Sequence, residues 1–146
     1  MQKADFFPRA IAYVVDGVII GVVAYLISLV VSMLVSAVVV DRDSTFFGIF
    51  MGVTGIVFFV YLVFQFFYAG YFWSTSGQTP GMRLVNIKVV RRDGTEDVSL
   101  VRGGLRGTFG YWVSSFILGL GFWWALFDAN GETWHDKIFD TRVVKA

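Results

Sequence analysis

Apolar residues fill this chain in three long runs, and polar residues collect in the gaps between them. From Ala10 to Val40 the only charged side chain is Asp16, while Phe46 to Trp73 and Gly107 to Phe127 contain none. A helix that crosses a bilayer needs about 20 predominantly apolar residues, and each run meets that length. The first run is too long and too unbroken for a cleaved signal peptide, whose apolar core is short. The pattern predicts an α-helical integral membrane protein with a single domain over residues 1–146. Its expected parts are a helix over 8–40, a second over 46–73, a hairpin loop over 80–101, a third apolar helical segment over 104–128 and a C-terminal motif over 129–146. Pro8 suits a first helical turn, where its missing N–H would be unpaired anyway. DRDSTF, around residue 43, reads as a short polar turn between the first two helices.

In the main polar segment, Val85, Ile87 and Val89 alternate ahead of Asp93-Gly94, a favoured two-residue turn, which predicts a short cytoplasmic β-hairpin. The third apolar run is interrupted at Gly119, Leu120 and Gly121. It reads as a re-entrant, broken helical hairpin or, alternatively, as a third crossing. Two observations favour re-entry. RLVNIKVV (Arg83–Val90) and KIFDTRVV (Lys137–Val144) match in character at most positions, so the C-terminal tail is strand-like and belongs on the same side as the first copy. Lys and Arg also concentrate in cytoplasmic loops. A re-entrant third run puts eleven of the twelve basic residues on one face and leaves Arg42 alone on the other, whereas a crossing gives eight against four. A multi-pass protein of the cell inner (cytoplasmic) membrane with both termini in the cytoplasm is expected. Re-entrant backbone also needs shelter from lipid.

Charged residues make up 16% of the chain, against about 25% in soluble domains, and the net charge of +1 gives no reason to expect nucleic acid. There is no cysteine and one histidine, His135, so neither thiol chemistry nor a dedicated metal site is expected. No cofactor motif is present. No serine, histidine and acid arrangement or phosphate-cradling loop is legible either, and no enzymatic activity is expected.

Arg9 and Asp16 are the chemistry in the first helix. Seven residues apart, they fall on nearly the same face. Arg9 lies close enough to the end to snorkel, but Asp16 sits deeper and must be protonated, paired or beside water. Gly17 and Gly21, spaced for close helix approach, lie on an adjacent small-residue stripe, and Gly48, Gly52 and Gly55 form another on the second helix. Thr54, Tyr61, Gln65 and Tyr68 share a separate polar face. One reading is a polar cavity where Asp16, with Gln65 and Tyr61, binds a monovalent cation or a proton. The other is a buried network that fixes helix register. Asp136, beside His135, is either half of an acid–base pair or a turn cap that meets an arginine.

With Arg9 opening the first helix, Asp16 within it and Asp136 in WHDKIFDT, the chain resembles the RDD family of small bacterial and archaeal membrane proteins, named for one arginine and two aspartates. GQTPGMRLVNIKVV resembles that family's link after its second helix, and the likeness runs from about Phe6 to Val144. Met82 stands where the family usually has lysine, and Asp140 where it commonly has a small residue. The resemblance implies this membrane architecture and transport, including sodium–proton exchange for some members. Expected partners are the lipid bilayer and further copies of the chain, as a homo-oligomer packed on the glycine stripes. The alternative role is a non-catalytic membrane adaptor or assembly factor, in which Arg9, Asp16 and Asp136 lock the fold and the basic hairpin meets anionic lipid or a partner.

Overall fold

The computed structural model of the protein describes residues 2–38, 46–116 and 118–146. Helices α1 (Phe6–Val38) and α2 (Phe46–Thr75) carry most of the apolar sequence, and both are long and apolar enough to cross a membrane. They are apolar over most of their surface, with the polar side chains Arg9, Asp16, Gln65 and Tyr68 bonded within the chain. Val14, Val18, Val22, Leu26 and Val30 line an exposed side of α1, and Phe59 and Phe67 are exposed on α2. The expected turn DRDSTF lies outside the described residues except for Phe46, which opens α2.

After α2 the chain builds a cap from short pieces. These are α3 (Pro80–Leu84), β1 (Ile87–Arg91), α4 (Leu100–Leu105), a π-helical turn (Arg106–Gly110), α5 (Tyr111–Ser115), α6 (Leu120–Trp123), a 3-10 turn (Trp124–Leu126), α7 (Trp134–Ile138) and β2 (Thr141–Lys145). The stretch from α4 to α5 and the stretch from α6 to Leu126 meet at a bend of 103°. Leu118 and Gly119 both take positive φ there. The break anticipated at Gly119 to Gly121 is therefore a real corner, closed tightly because a Cβ on Gly121 would stand 2.4 Å from Ser114 Cα.

The two strands pair antiparallel from Ile87 opposite Lys145 to Arg91 opposite Thr141. The N-terminal segment joins the same sheet: Lys3 bridges to Val144, and Ala4 N–H donates to the Val143 carbonyl at 3.1 Å. The beginning of α1, the end of α2 and both ends of the third apolar run thus meet in one cap. The expected hairpin is only half made. Its turn forms, with Gly94 at φ 92° and Asp93 accepting from Thr95 N–H at 2.9 Å, but the strand opposite β1 is the C-terminal one. The residues after the turn, EDVS, lack an alternating apolar side, whereas TRVVK offers Val143 and Val144 to a core already containing Val89 and Val90.

The internal repeat extends beyond the eight residues that announce it. Gly77–Arg92 and Gly131–Ala146 fold alike. Gly77 and Gly131 have φ of 69° and 66°, and Thr79 and Thr133 cap the short helices α3 and α7 with their side chains. Asn86 and Asp140 turn the chain at φ of 52° and 53°. Arg92 N–H donates to the Asp140 carbonyl and Ala146 N–H to the Asn86 carbonyl, the same bond made in each direction. Equivalent residues Val89 and Val143 face each other at the centre of the ladder, so a local two-fold relates the units. Asp140 sits where the backbone is left-handed, a conformation that Asp tolerates better than most side chains.

Within the chain, close helix approach uses glycines other than the predicted stripes. Among the described residues, a Cβ on Gly17, Gly21, Gly48, Gly52 or Gly55 would meet nothing within 4 Å, so none of them packs two described helices together. The tight contacts lie where α4 and the π-turn press on α2: a Cβ would come 2.3 Å from Ala69 Cβ at Gly107 and 2.6 Å from the Phe66 ring at Gly104. Gly107→Ala is expected to lower stability in detergent by about 1–3 kcal/mol through overpacking. Gly21→Ala should leave monomer stability within about 0.5 kcal/mol. Thermal unfolding followed by circular dichroism compares the two, and size-exclusion of Gly21→Ala shows whether the empty stripe meets a second chain.

Candidate functional site

Two carboxylates organise the polar interior, one from each end of the sequence. Asp16, nearly three turns into α1, accepts three hydrogen bonds. Tyr68 Oη on α2 donates to Oδ1 at 2.8 Å, Gly81 N–H to Oδ1 at 2.9 Å and Thr79 Oγ1 to Oδ2 at 2.5 Å. Thr79 is the cap of α3 and Gly81 lies in its first turn, so the carboxylate sits against free N–H groups that favour an anion. The approach needs glycine: a Cβ at position 81 would stand 2.4 Å from the Ala12 carbonyl and 3.0 Å from Asp16.

Asp136 is the second centre. It occupies the third position of α7 and completes a capping box with Thr133, accepting from Thr133 N–H at 3.1 Å while its own N–H donates to Thr133 Oγ1. Arg9 Nη1 donates to Asp136 Oδ2 at 3.0 Å, and Arg106 Nη2 to Oδ1 at 2.5 Å. Arg9 also reaches the Val143 carbonyl, and Arg106 Nε reaches Thr141 Oγ1, so both guanidinium groups tie into β2. Arg106 is 1% exposed and lies 4.4 Å from the Trp73 ring centre, a cation–π contact in a dry setting. Burial alone would raise the Asp136 carboxyl, but Arg106 above all, with Arg9, outweighs it and holds the group below the usual carboxylate range.

His135 is buried between Tyr111 and Phe122, with Ser114 Oγ 2.8 Å from its Nδ1. Its Nε2 stands 4.0 Å from Asp136 Oδ1, outside hydrogen-bond reach. Burial foremost, with Arg106 nearby, pushes the imidazole down to about 3, which keeps it neutral. Asp136 acts as cap and ion-pair partner together.

Between α1 and the corner of the third run lies a cavity of about 250 Å³, with Arg9, Asp16, Arg106, Tyr111 and His135 in its wall. The residues expected beside Asp16 are elsewhere. Gln65 is buried and donates to the Gly107 carbonyl at 2.6 Å, which satisfies a group in the π-turn that carries Arg106. Tyr61 faces a groove shared with Ser28 and Ser32 of α1. Tyr68 and Thr79 hold the places expected for Tyr61 and Gln65, and Arg106 joins the polar interior as a residue that the sequence does not single out. The signal for Thr79 was present, since Gly-Gln-Thr and Gly-Glu-Thr open the two repeated units. No signal marked Arg106, because a basic residue at the edge of an apolar run reads as an interfacial anchor. Met82, at the position where lysine is usual, is buried and accepts from Trp73 Nε1 through its sulfur at 3.3 Å.

Arg9 and Asp16 hence line one cavity, and Asp136 is bonded to Arg9 and Arg106 of its wall, in a cap built from repeated Gly-x-Thr units. The RDD family profile matches residues 3–140. The chain belongs to the RDD family. No curated protein and no solved structure matches it. Among the described residues of this RDD protein, no group of three or more His, Cys, Asp or Glu is placed to hold a metal ion.

Removing the shared acid with Asp136→Asn leaves the buried Arg106 and the partly buried Arg9 without their common partner and should cost about 3–5 kcal/mol, more than Arg9→Gln, in thermal unfolding. Exchanging charges between positions 9 and 136 should not restore stability, because Arg106 would then face a cation. The pH dependence has two parts. An unfolded His135 takes up a proton below about pH 6.5 while the folded one does not, so stability should fall as pH drops from there towards 3. Asp136 is held below its unfolded value of 3.8, so its contribution is present above that pH and is lost as pH falls further. His135→Gln, compared by unfolding from pH 7 to 3, should flatten only the first part.

Proposed function

We propose that this RDD protein exchanges a monovalent cation for protons at Asp16, as a non-enzymatic transport protein of the cytoplasmic membrane. The observation that carries the reading is the oxygen cluster at Asp16, a residue of the cavity wall whose two carboxylate oxygens meet the hydroxyls of Tyr68 and Thr79. A hydroxyl that donates to a carboxylate keeps lone pairs it can turn to a cation, and a set of oxygens suits a hard ion. Gly81 N–H would hold one carboxylate oxygen in place throughout. The ligand set is therefore Asp16, Tyr68 and Thr79, with Tyr61 and Gln65 outside it. The other charged residues of the cavity wall, Arg9 and Arg106, pair with Asp136 and leave Asp16 to the ion.

The cap and both termini face the cytoplasm in this reading, supported by the concentration of basic residues in the cap. A homo-oligomer supplies the remainder of the pathway. Its support is that α1 and α2 expose most of their length and that their glycine stripes meet nothing among the described residues. Ser114 and His135 support a non-enzymatic role, since both are buried and Gly121 closes over the serine.

One observation favours a second reading, an adaptor in which Asp16 is a clasp. All three of its bonds come from donors, and two belong to the segment that α3 lays on α1. Proton flux in proteoliposomes under imposed Na⁺ and K⁺ gradients separates the two. Exchange predicts cation-dependent flux that Asp16→Asn abolishes, that Thr79→Val and Tyr68→Phe each reduce, and that Tyr61→Phe leaves intact, all in protein that is still folded. Absent flux in the wild type, with Asp16→Asn lowering the unfolding temperature, would assign Asp16 to the clasp.

A further inference from the structure

A second cavity, of about 710 Å³, opens on the outer side of the sheet, away from Asp16; it shares only Val143 with the first. Lys3, Arg92, Lys137 and Arg142 line it, with Glu132 as the one acid. Two of these cations are matched. Arg92 Nη2 lies 2.5 Å from Glu132 Oε2, with Asp140 4.0 Å from its Nε, and Lys137 Nζ lies 2.5 Å from Asp128 Oδ1. Lys3 and Arg142 are not. Lys3 has only a 3.3 Å bond to the Ala129 carbonyl, and Arg142 Nε is buried with no acceptor. Among the described residues, neither has a carboxylate partner. Two unmatched cations in a cleft already holding two ion pairs call for an anion that bridges them, and a phosphate supplies several acceptor oxygens for one group.

The surroundings identify the source of that phosphate. Lys137 Nζ stands 6.0 Å from the Trp124 ring, and Trp124 packs beside Trp134 at 6.1 Å. Phe127, just ahead of the loop that forms one wall, is 82% exposed. Tryptophan beside a lysine of the basic cleft and an exposed phenylalanine just ahead of its loop, in a chain with two helices long and apolar enough to span a membrane, suit the level of lipid headgroups. We propose that this cleft binds the phosphate of an anionic lipid, gripped between Lys3 and Arg142, with the acyl chains leaving past Trp124 and Phe127. The basic hairpin turn is not the lipid contact, because Arg92 is committed to Glu132 and Arg91 Nη2 lies 3.8 Å from Asp93.

The test uses the full-length chain in an uncharged detergent and measures lipid retention by native mass spectrometry. The probes are dioctanoyl phosphatidylglycerol, dioctanoyl phosphatidylcholine and inorganic phosphate, with thermal protection recorded alongside. The wild type should retain phosphatidylglycerol over phosphatidylcholine by about tenfold or more, and Lys3→Gln with Arg142→Gln should remove that preference. Lys88→Gln with Arg91→Gln, which removes equal charge outside the cleft, should keep it, and Lys3→Arg with Arg142→Lys should restore most of it. Equal retention of both lipids would overturn the proposal. So would an equal loss in the Lys88/Arg91 pair, which would mean diffuse attraction, or protection by inorganic phosphate as strong as by the lipid, which would make the ligand a free anion.

Discussion

One buried acid answering to two bases, one buried and one partly buried, is the constraint around which this fold is arranged. Asp136 has no contact with water, and neither, in effect, does Arg106. Taking such groups out of water costs several kcal/mol each unless partners replace the lost solvation. The partners come from three distant parts of the chain: Arg9 from the first turn of α1, Arg106 from the π-turn, and Thr133 from the cap of α7 itself. The sheet is what brings them together, since β2 carries Thr141 and the Val143 carbonyl to the same guanidinium groups. Every other contact of the cap can be seen as positioning these few atoms.

The membrane architecture was legible because lipid imposes a blunt requirement, length of apolar sequence, and the three runs satisfy it openly. The corner in the third run was legible from Gly119 to Gly121, and the strand pairing from the likeness of RLVNIKVV to KIFDTRVV. Arg9, Asp16 and Asp136 stood out because charge is rare in this chain. Partner choice was hidden. Helical periodicity placed Tyr61, Gln65 and Tyr68 on one face of α2, yet which of them meets Asp16 depends on how far α2 slides along α1, and a one-turn difference decides it. The π-turn, with its extra residue, re-aims Arg106 in a way that no regular period reports. The hairpin was anticipated from a sound turn, but a turn fixes only where the chain reverses and not what it then pairs with.

The repeated units show one frame put to two uses. Both open on Gly-x-Thr, cap a one-turn helix and reverse through a left-handed Asn or Asp into a strand. At matching positions the first unit has Gly81 and Met82, and the second has His135 and Asp136. Gly81 lets an acid from α1 approach the backbone, whereas the second unit brings its own acid and draws in arginines. The local two-fold is thus a symmetry of backbone and not of charge, and the two halves of the cap attract opposite kinds of side chain.

The lacing of Lys3, Arg9 and Arg106 to β2 also sets an order of events during synthesis. The helices leave the ribosome first and can enter the bilayer on hydropathy alone. Arg9 of α1 and, later, Arg106 of the π-turn precede the strand and the aspartate that satisfy them, which come last. Contacts so distant in sequence form slowly. The cap of this chain can therefore close only once its last unit has been made, because Asp136 and β2, which complete it, lie at the far end from α1.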